Sequence, residues 1–105
     1  MELEIAIRER IQERYDILHE LYDIWFTENP AHITTKDRFY QQAHIEKHRA
    51  FTYLLDKGYI VVTPVENEPE QVAVCITVDG IDFFERGRLE GKGNGWSIVT
   101  EYSDE

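Results

Sequence analysis

Apolar side chains recur at spacings of three and four along the first 26 residues: Leu3, Ile7, Ile11, Tyr15, Leu18, Tyr22 and Trp25. That is the period of one helical face, and it predicts a single long amphipathic helix over residues 2–26. Ile17, Leu21 and Ile24 widen the stripe in the second half only. The second half is therefore expected in a core and the first half as a narrow seam. In heptads, Ile7, Ile11, Arg14, Leu18, Leu21 and Trp25 form an a/d track that Arg14 interrupts. A helix of about 25 residues is ~37 Å long, more than a small domain covers. The overhang predicts a homodimer contact through Leu3, Ile7, Ile11, Tyr15 and Leu18. The alternative is a helix folded back on its own domain.

Asn29-Pro30 closes this helix, because the residue before proline disfavours the α region. Thr34 followed by Asp37 resembles a capping arrangement and predicts a short second helix over about 35–42. A third helix is expected over 44–57, ended by Gly58, with Ala50, Phe51, Leu54 and Leu55 inward. By the 100° step, Ile45, His48, Arg49, Thr52, Tyr53 and Asp56 point the other way. After Gly58 the period becomes 2. Tyr59–Val65 and Val72–Val78 are β-branched runs around a polar turn of residues 66–71, a hairpin pattern. Val72, Val74, Ile76 and Val78 would share one face, with Ala73, Cys75 and Thr77 on the other. Pro64 cannot donate to a ladder, which predicts an edge strand. Asp79-Gly80 reads as a turn before a short helix of Ile81, Phe83 and Phe84 that Gly87 ends. Residues 88–105 read as a glycine-rich loop, then a weak strand or packed tail around Trp96, Ile98 and Tyr102.

Charge sharpens this picture. The net formal charge is −10, which opposes a general affinity for phosphate polyanions. Its distribution is uneven: −5 over residues 1–32, +2 over 33–58 and −7 over 59–105. The positive island coincides with the second and third expected helices. With 105 residues and 42% hydrophobic content the chain suits one globular domain. No run approaches a bilayer span, and the first thirty residues are charged throughout, so no secretory h-region is expected among them. Cys75, the single cysteine, cannot form an internal disulfide, so a cytoplasmic address is expected.

The order helix, helix, helix, hairpin, helix resembles a winged-helix domain between Thr34 and Gly87. The stretch His44–Ile60 (HIEKHRAFTYLLDKGYI) is similar to the recognition helix of small prokaryotic winged-helix regulators of the multiple-antibiotic-resistance repressor type. Cys75–Glu85 (CITVDGIDFFE) resembles the end of the wing, with a Thr-x-x-Gly turn and the helix after it. The fold this implies is α+β: a winged helix-turn-helix with three helices, a two- or three-stranded antiparallel wing and a short C-terminal helix. The function it implies is binding of double-stranded DNA by a homodimeric transcriptional regulator. The third helix would face the major groove with His48, Arg49, Thr52 and Tyr53, and Arg49 can pair guanine O6 and N7 together. Lys36 and Arg38 would hold phosphates. Two features depart from the family pattern. No Lys or Arg occurs from Gly58 to Glu85, while Glu66, Glu68 and Glu70 crowd the hairpin tip. Lys47 also occupies a usually apolar inward position. The alternative these features suggest is an acidic interaction module, docking on a basic protein partner or mimicking nucleic-acid charge.

Other chemistry is sparse. His44 and His48 stand at i,i+4 without a third ligand, so no metal site is expected. Gly87–Lys92 lacks the spacing and the preceding strand of a phosphate loop. Cys75 sits in an apolar run without a basic neighbour. No carboxylate pair stands out as an acid/base couple. The expectation is a non-enzyme without a cofactor.

Overall fold

A computed structural model describes residues 2–36 and 45–91. The first helix, α1, spans Glu2–Trp25 and carries Glu2 and Glu4 in its first turn, where negative charge meets the positive helix end. Its last turn tightens, with Thr27 N–H donating to the Ile24 carbonyl at 3.0 Å. The Thr27 hydroxyl donates to the same carbonyl at 2.7 Å. These bonds occupy an end carbonyl that has no helical partner.

The chain then differs from the sequence expectation. Thr34 does not cap a helix; it lies in a strand, β1 (His32–Thr35), opposite Val72. The run Ile33-Thr34-Thr35 is β-branched throughout and fits a pleated edge. Apart from Thr35 and Lys36, the helix expected over 35–42 lies outside the described residues, as do Arg38 and His44.

The next helix, α2, spans Ile45–Asp56 and buries Ala50 and Leu54. Gly58 ends it at φ 75°. Gly58 N–H donates to the Leu55 carbonyl at 3.0 Å and Tyr59 N–H to the Leu54 carbonyl at 2.9 Å. That pair of bonds is a Schellman closure, which a left-handed glycine permits.

Strands β2 (Ile60–Val65) and β3 (Glu68–Ile76) form the hairpin. The turn is Glu66-Asn67 alone, with Asn67 at φ 65°, much shorter than the six polar residues suggested. The strand extends over charged Glu68 and Glu70, both exposed, and Glu68 pairs with Val65. The sheet order is β1-β3-β2, antiparallel throughout. Pro64 thus sits on an edge strand, as its missing N–H requires, and the register breaks between Pro64 and Val65.

Val78 is not part of β3. It opens the last helix, α3 (Val78–Leu89), and is exposed. Asp79-Gly80 is likewise the first turn of α3 and not a separate turn. Thr77 is the N-cap, accepting from Gly80 N–H at 3.0 Å and donating to the Gly58 carbonyl at 2.5 Å. One threonine therefore starts α3 and ties it to the end of α2. A Cβ on Gly80 would run into the Tyr59 carbonyl, so the helix can begin here only with glycine. Gly87 does not end α3 either: it is buried inside the helix, where a Cβ would lie 2.7 Å from the Tyr15 ring.

The core lies where α1, α2 and α3 meet the inner face of the sheet. Leu18, Leu54, Val74 and Ile76 are its most enclosed side chains. Val72, Val74 and Ile76 do share that face, while Ala73 and Cys75 turn outward. Phe83 stacks between Tyr15 and Tyr59, with ring centroids 5.2 and 4.5 Å away. The architecture is α+β, with three helices and a three-stranded antiparallel sheet among the described residues. No helix among them is long and apolar enough to cross a membrane. The final strand or tail expected around Trp96, Ile98 and Tyr102 lies outside the described residues.

Candidate nucleic-acid interface

Helix α2 divides into two faces. Ala50 and Leu54 anchor one in the core, and Phe51 and Leu55 pack half-buried beside them. Arg49 is exposed on the other. Ile45 and Asp56 are exposed as well, whereas the other three residues expected there are half-buried. His48 and Thr52 are half-buried, and the Thr52 hydroxyl donates to the His48 carbonyl at 3.0 Å. Tyr53 is half-buried with the Arg14 guanidinium 3.8 Å from its ring centroid, a cation–π contact. Lys47 is half-buried, in keeping with its inward position. Lys36 is exposed directly after β1.

Two side chains of α1 therefore fix how α2 is presented. Arg14 covers Tyr53. Arg10 grips Glu46 through two guanidinium nitrogens, Nε to Oε2 at 2.9 Å and Nη2 to Oε1 at 3.0 Å. This fork geometry suits a planar guanidinium and carboxylate. The hydrogen bond from Arg10 holds the Glu46 carboxyl below its usual range, and Glu46 raises the Arg10 guanidinium in return. Between the ties lies a groove of about 590 Å³, whose walls include Glu9, Arg10, Glu13, Arg14, Glu46 and Arg49. Its three glutamates balance its three arginines, so the groove itself is no trap for phosphate. Arg49 is exposed and lines this same groove, on the stripe of α2 that also carries Glu46 and Ala50 toward α1.

The seam of α1 separates into two parts. Leu3 and Ile7 are 63% and 44% exposed. Ile11 is half-buried against the core, and Tyr15 and Leu18 lie inside it, where they offer a partner no surface. Sequence reasoning had no view of Arg10 or Glu46, which are 36 positions apart. Arg14 did leave a signal: a cation interrupting an apolar stripe needs a partner, and Tyr53 is that partner.

A second groove, of about 380 Å³, lies between α1 and α3 over Phe84. Beside it the Tyr22 hydroxyl donates to Glu85 at 2.7 Å, which raises the phenol above its ordinary range. Burial likewise raises the Cys75 thiol above its ordinary range. No group of three or more His, Cys, Asp and Glu among the described residues is placed to hold a metal ion. Compared with known proteins, the chain matches no family model, no curated protein and no solved structure.

Proposed function

We propose that the chain is a winged-helix DNA-binding protein, acting as a homodimer in transcription regulation with α2 as the recognition helix. The observation that carries this reading is the exposed Arg49 on a helix anchored in the core by Ala50 and Leu54. The element order and the three-stranded sheet are compatible with such a layout. Base contact falls first to Arg49, with His48, Thr52 and Tyr53 offering polar atoms beside it. Lys36, with Arg38, holds phosphate and sets register. The Arg10–Glu46 pair matters here because it neutralises a carboxylate three residues from Arg49. Two copies joined through Leu3, Ile7 and Ile11 would set two α2 helices in successive major grooves of a two-fold site.

A second reading rests on the hairpin. Glu66, Glu68 and Glu70 are all exposed, and phosphates would repel them in a docking that used this tip. That favours a protein-interaction module or a nucleic-acid mimic. Fluorescence anisotropy of a labelled random duplex, at low and moderate salt, separates the two. DNA binding gives an affinity that falls steeply as salt rises. On a selected site, Arg49→Ala then costs about 1–3 kcal/mol, roughly 5- to 150-fold. No binding at low salt leaves the second reading, and unchanged affinity of a folded Arg49→Ala variant removes α2 from the groove.

A further inference from the structure

The outer face of the sheet is apolar at its centre and has no cover among the described residues. Ile33 of β1 stands opposite Ala73 of β3, and Val61 of β2 opposite Cys75. Ile33 is 50% exposed and Val61 44%. The helices lie on the other side, against Val72, Val74 and Ile76. Exposed Ile33 and Val61 thus flank half-buried Ala73 and Cys75 on one face of the sheet. The hairpin extends beyond this patch to Glu66, Glu68 and Glu70, and no Lys or Arg occurs from Gly58 to Glu85.

We propose that this sheet face docks a basic protein segment, one that sets apolar side chains on Ile33 and Val61 and lysines or arginines against the hairpin carboxylates. Charge selects this occupant over the two nearest rivals. A second copy brings another −10 and the same acidic hairpin. The chain's own residues 92–105 carry Glu101, Asp104 and Glu105 against Lys92 alone, and residues 37–44 carry Asp37 against Arg38, so neither segment brings the net positive charge that the tip selects. The surface is separate from α2, and it stands or falls independently of DNA binding.

The test uses the isotope-labelled full chain and two synthetic nonapeptides of equal charge, one alternating lysine with isoleucine and one lysine with serine, followed by NMR. The lysine–isoleucine peptide is expected to shift amides of β1, β2 and β3 and to bind at least about tenfold more tightly than its serine counterpart, since three or four buried aliphatic groups each contribute. Val61→Lys should weaken that binding about tenfold while the α1 and α2 amides stay in place. Ile33→Lys, on a different strand, serves the same purpose if Val61→Lys disturbs the fold. Equal affinity for the two peptides overturns the proposal, because charge alone then accounts for binding. Shifts confined to α1 overturn it too. So does a molar mass that doubles with concentration and is restored to one copy by Val61→Lys, which would assign the face to a second copy.

Discussion

The two halves of α1 carry the same apolar period and meet different surroundings. In the second half, Tyr15, Ile17, Leu18 and Leu21 are buried by the sheet, α2 and α3. In the first, Leu3 and Ile7 extend the same stripe into water. Periodicity therefore reports the side of a helix that avoids water, and the breadth of the stripe reports whether a core surrounds it. Where Ile17, Leu21 and Ile24 widen the stripe, three elements converge. Where only Leu3 and Ile7 mark it, no described element covers them.

Substitution breaks this contrast at its strongest point. Leu18 is 0% exposed, and Leu18→Ala should cost about 2.5–5 kcal/mol in denaturant unfolding, the range for a truncated core leucine. Ile7→Ala should stay within about 0.5 kcal/mol at low protein concentration, as exposed changes do. A homodimer through the seam sharpens the difference: the Ile7→Ala deficit then grows with protein concentration, because association stabilises only the intact chain. A concentration-independent loss of several kcal/mol at Ile7 would mean the first half is packed against its own domain.

The next largest effect lies on the buried side, where α3 crosses α1. Gly87 lets the Tyr15 ring approach, and a Cβ there would meet ring carbons at 2.7 and 2.8 Å. Overpacking of this kind costs about 1–3 kcal/mol, against a gain in helix propensity of up to about 1 kcal/mol. Gly87→Ala should therefore destabilise on balance in thermal and denaturant melts. Tyr15→Phe removes the hydroxyl that lies against the same position, so the double variant should recover part of the loss. Additive losses would mean that α3 stands farther from α1.

What the sequence conveyed follows the same division. Local signals were legible: the α1 stripe, the Gly58 closure, the edge position of Pro64 and the inward row Val72, Val74 and Ile76. Signals set by distant partners were not. Asp79-Gly80 carries turn composition, yet the glycine serves the close approach of the Tyr59 carbonyl within a helix capped by Thr77. β1 is four residues long, and only its pairing with β3 defines it. Glu68 and Glu70 concealed the start of β3 because the strand leaves both exposed there. At the candidate interface, the outward set on α2 was legible as a helical face, but its occupancy was not. Arg14 reaches Tyr53 and Arg10 reaches Glu46 across 39 and 36 positions, and of the expected outward set Ile45, Arg49 and Asp56 are the exposed members.

The smallest effect concerns the tie between the seam half of α1 and α2. Arg10 holds the Glu46 carboxyl below its usual range, chiefly through the side-chain hydrogen bond. A carboxyl depressed in the folded state adds stability above its unfolded value, and that stability is lost as pH falls through the lowered folded value. Both partners are exposed, at 47% and 60% of their side-chain surface, so the contribution to stability is small and weakens with salt. The informative observable is the titration itself. Followed by NMR, Glu46 should protonate below the ordinary glutamate range in the wild type and return to it in Arg10→Ala. The acid side of the stability curve should change correspondingly, with little difference at neutral pH beyond that of the lost pair. If Glu46 titrates identically in both proteins, the pair is absent in solution, and Arg14 on Tyr53 alone sets the angle at which α2 presents Arg49.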